Sequence, residues 1–167
     1  MASPAILQTP RLVAADRAAG QDILGIVVTT LVSNQETRDQ FGVFEALIPP
    51  GAGIPLHRHP DVELFYILEG QLCVVREVNG AAEEFVVARD QGGFIPADAN
   101  HGFVNNGVAP ARALITCTRG LEAFLAEAGR PAKESAGGPP TGEEVERVLA
   151  IARKHGQVFP GMASSGD

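Results

Sequence analysis

GAGIPLHRHPDVELFYILEG, residues 51–70, decides how this chain is read. His57 and His59 stand two apart, flanked by Pro55 and Pro60, and the prolines argue against a helix. In an extended strand, side chains at i and i+2 share a face, so both imidazoles point into one interior. Glu63 follows the short connection of residues 60–62 and opens the next extended run, with Phe65 and Ile67 on its face. The spacing is Gly51-x5-His57-x-His59-x3-Glu63-x6-Gly70.

A second segment, Pro96-x4-His101-x3-Asn105, holds a third histidine, with Phe103 and Asn105 on its face. The chain has 4 histidines, and His155 stands apart in the tail. Imidazole nitrogens and a carboxylate are the donors that zinc and the redox-active first-row metals take. A closed antiparallel barrel lets these runs aim inward at one point. His57, His59, Glu63 and His101 are therefore the candidate ligands of a divalent transition metal: iron, manganese, nickel, copper or zinc. Three imidazoles and one carboxylate leave coordination positions open, the condition for catalysis. Phe65, Ile67, Phe94 and Phe103 are the expected walls of a dry pocket.

Outward from these segments, short extended runs alternate with turns. The runs are 23–32, 41–48, 63–68, 71–78, 84–87, 93–96, 102–104 and 113–118. Between them fall Pro49-Pro50-Gly51, Glu69-Gly70, Asn79-Gly80, Gly92-Gly93, Asn106-Gly107 and Ala109-Pro110. Asn-Gly marks a two-residue hairpin, because both positions tolerate positive φ. Many short strands at near-regular spacing indicate an all-β sandwich or barrel. The tail differs. Residues 121–128 are helix formers, stopped by Gly129 and Pro131. Residues 135–140 read as a linker. Thr141 and Glu144 have the spacing of a capping box, and Val145, Val148, Leu149 and Ala152 then share a helical face. That stripe must dock on the barrel or on a second subunit. We divide the chain into a barrel domain, residues 1–120, and a helical tail, residues 121–167.

The 167 residues carry a formal net charge of -7, and no basic stripe with interleaved aromatics is present. Nucleic acid is not expected as a partner. No apolar run approaches the roughly 20 residues that span a bilayer, so no membrane partner is expected. The first 11 residues lack the pattern of a signal peptide, and the expected compartment is the cytoplasm. Cys73 and Cys117 form no CxxC pair and stand in apolar runs, as packing thiols do.

The two segments resemble the paired motifs of the cupin superfamily. The first matches at Gly51, His57, His59, Glu63 and Gly70, the second at Pro96, His101 and Asn105. Asp90 and Asp98 stand where the family usually has glycine, and Asp tolerates turn conformations well. The resemblance covers about residues 41–118. It implies a jelly-roll β-barrel with a C-terminal helical extension and the metal inside, held by His57, His59, Glu63 and His101. The tail is similar to that of single-domain bacterial cupins of the quercetin-dioxygenase-like kind. Cupins are often homodimers, so a homodimer is expected.

From the resemblance, the leading expectation is a dioxygenase acting on a small enolic or aromatic substrate, with dioxygen as co-substrate. Glu63 either ligates the metal or acts as general base. The alternatives are a redox-neutral isomerase, cyclase, lyase or hydrolase, and a non-catalytic small-ligand-binding module. Asp61 is read as a turn residue able to orient an imidazole, Tyr66 as packing outside the barrel, and Arg58 as pointing away from the metal. Asn105 is expected to bond backbone, Arg112 and Arg119 to meet solvent, and His155 to be structural.

Overall fold

The computed structural model describes residues 9–118, 120–132 and 139–160. Arg119 and residues 135–138 of the expected linker lie outside them. After a 3-10 turn at Arg17–Ala19 come β1 (Gln21–Ile23), β2 (Ile26–Val32), β3 (Gly42–Ile48) and β4 (Gly53–His57). Next are β5 (Glu63–Glu69), β6 (Gln71–Val78), β7 (Ala81–Ala88), β8 (Gly92–Ile95), β9 (His101–Val104) and β10 (Ala111–Cys117). Helix α1 (Gly120–Ala128), β11 (Arg130–Pro131) and α2 (Gly142–Lys154) complete the order. The strands form two antiparallel sheets, β11-β1-β2-β3-β10-β5-β8 and β4-β9-β6-β7. This is the expected all-β jelly-roll barrel with a helical C-terminal part.

Alternation supplies the core. Phe44, Ala46 and Ile48 of β3, Phe65 and Ile67 of β5, Ala111 and Ala113 of β10, and Leu72 and Val74 of β6 are all buried in one apolar cluster. The extended run at 23–32 is in fact two strands. Leu24 (φ 54) and Gly25 (φ 87) make a tight turn inside it, and the Gly25 N–H donates to Asp22 Oδ1 at 3.0 Å. Two positive φ angles match the twist of the paired strands, and the cost at Leu24 is set against that pairing. Asn79 (φ 51) and Gly80 (φ 78) form the expected hairpin turn. Asp90 (φ 65) and Asp98 (φ 61) both hold the left-handed conformation that glycine adopts most easily. The two departures from glycine therefore leave the turns in the same backbone region.

The tail closes on its own barrel. Thr141 and Glu144 form the expected reciprocal capping box. Phe124, Leu125 and Ala128 of α1 and Val148 and Ala152 of α2 are buried in the same cluster as the strands. Glu127 joins the helices, accepting from Lys154 Nζ at 2.7 Å and pairing with His155 Nε2 at 2.9 Å. His155, the C-cap of α2, thus has the structural role expected of it. No helix among the described residues is long and apolar enough to cross a membrane.

On the outer face of the larger sheet, the Glu45 carboxylate accepts from Arg17 and Arg112, both at 2.9 Å. Arg112 also pairs with Glu69, so it does not simply meet solvent. Burial alone would raise the Glu45 pKa, but the two guanidinium partners outweigh it and hold the carboxyl below its usual value. A lowered folded-state pKa gives stability that is complete above the unfolded value and fades as pH falls through the folded one. Arg17 is half-exposed, so most of the gain belongs to Arg112. Glu45→Gln is expected to cost about 2 kcal/mol at neutral pH. That difference should shrink below about pH 4, as read by urea unfolding at several pH values.

Candidate metal centre

His57 is the last residue of β4 and His101 the first of β9, and they face each other across the pair. Their ring centroids are 4.4 Å apart. His59 lies past the end of β4. There the chain stays extended because Arg58 pairs with Val158, the N–H of each donating to the carbonyl of the other at 2.9 Å. Alternation therefore continues, and the His59 ring comes within 4.9 Å of that of His101. One nitrogen from each of the three imidazoles lies within 4.8 Å of the other two. Glu63, the first residue of β5, is not one of that triad. It stands beside it, with Oε2 3.3 Å from His59 Nε2.

The backbone fixes the tautomers. Nδ1 of His57 lies 3.0 Å from the Pro55 carbonyl, that of His59 3.0 Å from the Asp61 carbonyl, and that of His101 2.8 Å from the Ala99 carbonyl. A carbonyl only accepts, so each Nδ1 carries a hydrogen, and Nε2 of His57 and His101 keeps its lone pair, while Nε2 of His59 faces the Glu63 carboxylate. Histidines that ligate a metal are oriented in this way. Burial and the neighbouring His101 push His57 down to about 4. Burial also lowers His101. These two are neutral donors at ordinary pH. Burial opposes charge on His59 as well, but the hydrogen bond and charge of Glu63, with the Asp61 carbonyl, outweigh it and raise its pKa. Three buried Nε2 atoms, that of His59 giving up its hydrogen as an ion binds, and a carboxylate beside them fit a divalent transition metal.

Asp61 acts twice. Its carbonyl orients His59, while its Oδ1 accepts from Thr118 Oγ1 at 2.8 Å and the Gly120 N–H at 3.0 Å. It thereby ties the ligand loop to the start of α1. Asn105 is fully buried and donates to the Ile48 and Ala109 carbonyls at 2.8 and 2.9 Å, as expected. Tyr66 lies half-exposed outside the barrel. Cys117 is a buried free thiol on the cavity wall, its pKa raised first by burial and then by the charges of Glu63 and Asp61.

The three imidazoles open on a cavity of about 140 Å³. Phe65 and Phe103 line it as expected. Ile67 is fully buried on the same face but packs within the core, outside the cavity wall. Phe94 is corrected outright: it is 64% exposed. Gly93 sits opposite Phe65 in the β5–β8 pair and shares its inward face, so alternation turns Phe94 out beside Leu64 and Ile95 in. Gly93 must be glycine here, since a Cβ would stand 2.5 Å from the Phe65 ring.

The rest of the wall comes from the tail. Leu121, Phe124, Leu125, Val148 and Leu149 line the cavity, and Phe159 stacks on His57 with centroids 5.5 Å apart and planes 20° apart. Only the apolar stripe of α2 signalled any of this. Phe159 follows the helix, where no periodicity marks a face. Among the described residues, no lysine or arginine lines the cavity.

Residues 44–117 match the family model described as a cupin domain. The strands β3 to β10 and the histidine cluster fall in or on this matched stretch, which is similar to cupin domains and makes up less than half of the chain. It is 43% identical over 68 residues to "Polyketide synthase CurC" of Streptomyces cyaneus, a stretch covering 40% of this chain and 42% of that protein. The chain thus matches less than half the length of that relative. The polyketide cyclase RemF of Streptomyces resistomycificus is 25% identical, with TM-score 0.53, over 66% of this chain and 80% of that one. A predicted oxalate decarboxylase from Thermotoga maritima shares the fold at TM-score 0.56 and 19% identity, over 65% of this chain and 98% of that one.

Proposed function

We propose that this protein is a metal-dependent cupin enzyme that removes a proton from a small enolisable substrate and rearranges it without net oxidation, as a cyclase or isomerase does. The observation that carries this is the Glu63 carboxylate, 3.3 Å from His59 Nε2, beside three imidazoles that line an apolar cavity. His57, His59 and His101 would hold the ion, with Glu63 free to join them or to stand off as base. When bound, the metal supplies a Lewis acid that lowers the pKa of a substrate hydroxyl or enol.

The chain's own groups do the rest. Glu63 would accept the substrate proton at Oε2, with His59 Nε2 given over to the ion. Carbonyls of Pro55, Asp61 and Ala99 keep the imidazoles from rotating. Phe65, Phe103 and the helical cover exclude water, which strengthens each charge interaction inside. The likeness to the polyketide cyclase RemF supports the redox-neutral reading. The donor set also suits redox-active ions, so the dioxygenase reading uses the same residues.

One experiment separates them. Metal-loaded protein is mixed with benzoylacetone in D₂O, with proton NMR and an oxygen electrode read together. The redox-neutral reading expects accelerated exchange of the carbon-bound proton without oxygen uptake. Oxygen uptake with cleavage of the diketone would favour the dioxygenase, and neither response would contradict catalysis.

A further inference from the structure

We infer that Phe159 determines specificity, as the wall that holds the site to a ligand whose body, beyond its metal-facing oxygens, is apolar and about one ring in size. This rests on the cavity being the substrate site described above.

Three observations carry it. Phe159 is 7% exposed, lines the cavity and lies nearly parallel to the His57 ring, so it walls the cavity beside one of the three imidazoles. Gly156 (φ 81) turns the chain out of α2, and the two hydrogen bonds between Arg58 and Val158 pin the following segment against the end of β4. The wall thus belongs to a short strap held by backbone pairing, which any side chain at 159 would preserve. The cavity of about 140 Å³ is also close in size to the ~150 Å³ apolar cavities that hold one benzene. Deleting the phenyl ring of Phe159 would open room for a second ring.

The lining sets the chemical class. With Asp61 and Glu63 on the wall and no lysine or arginine among the described lining residues, a charged group that does not face the metal would be buried unpaired. That costs far more than burying an apolar body. A ligand with a ring or short chain and one or two metal-facing oxygens meets no such penalty.

The test uses two sets of probes on wild type, Phe159→Ala and Phe159→Trp. Without metal, thermal midpoints are read against toluene and biphenyl. Toluene should raise the wild-type midpoint and biphenyl should not. Phe159→Ala should bind biphenyl at least about 10-fold more tightly than wild type, and Phe159→Trp should lose the toluene response. In the cobalt(II)-loaded protein, visible absorption is read against benzoylacetone, dibenzoylmethane and benzoylacetone carrying a para-carboxylate. Benzoylacetone should perturb the wild-type spectrum, its para-carboxylate derivative should not, and dibenzoylmethane should do so only in Phe159→Ala. Biphenyl affinity indifferent to residue 159, or the para-carboxylate binding more tightly than benzoylacetone, would overturn the inference. If cobalt fails to load while the metal-free probes sort by size, the metal reading fails and the wall stands. If cobalt loads and size selection is absent, the wall fails and the metal reading stands.

Discussion

His101→Ala should lose metal and turnover together while remaining folded. His101 and His57 are cross-strand partners with ring centroids 4.4 Å apart, so removing one ring takes away a donor and the face that positions the other. Changes to groups that only orient a ligand cost about 10–100-fold in metal affinity, and loss of the ligand itself should exceed about 100-fold. The fold should survive, because the pairing of β9 with β4 and β6 is made by backbone groups. Relief of crowding among buried imidazoles offsets part of the small void left. Elemental analysis after dialysis and far-ultraviolet circular dichroism read the two effects separately. Full metal content in folded His101→Ala would show that the imidazoles do not share one ion.

Glu63→Gln should separate binding from chemistry. The change keeps the shape of the side chain and one oxygen but removes the basic site. A positioned general base contributes roughly 10²–10⁴-fold, and turnover should fall by that amount. Metal content should stay within about ten-fold of wild type, because three nitrogens remain. Glu63 stands at His59 rather than within the mutual spacing of the three imidazoles, which favours base over obligatory ligand. Kinetics against a working diketone, with metal content measured on the same samples, decide this. Unchanged turnover removes Glu63 as the base, and loss of metal with turnover makes it a ligand.

The donors of the site were legible because they are local. His57 and His59 alternate on one extended stretch, Glu63 opens the next strand, and the tautomers are set by carbonyls two residues away. Asp90 and Asp98 were legible as turns for the same reason. What escaped is set by distant contacts or by parity. The direction of Phe94 depends on which of Gly92 and Gly93 faces Phe65, and neither carries a side chain to reveal it. The break at Leu24 and Gly25 hides among residues that favour strands. The tail was visible as an apolar stripe needing a partner. That it closes the cavity, with Phe159 against His57, follows from the pairing of Arg58 with Val158, a hundred positions on in the chain.

The central claim is that His57, His59 and His101 bind a single ion through Nε2. Crystals of protein saturated with metal, measured on either side of the ion's absorption edge, test it most directly. The expected result is one anomalous peak within about 2.0–2.3 Å of all three Nε2 atoms, with an open side toward the cavity. A peak elsewhere, or three imidazoles with no shared scatterer despite stoichiometric metal in the crystals, would contradict it.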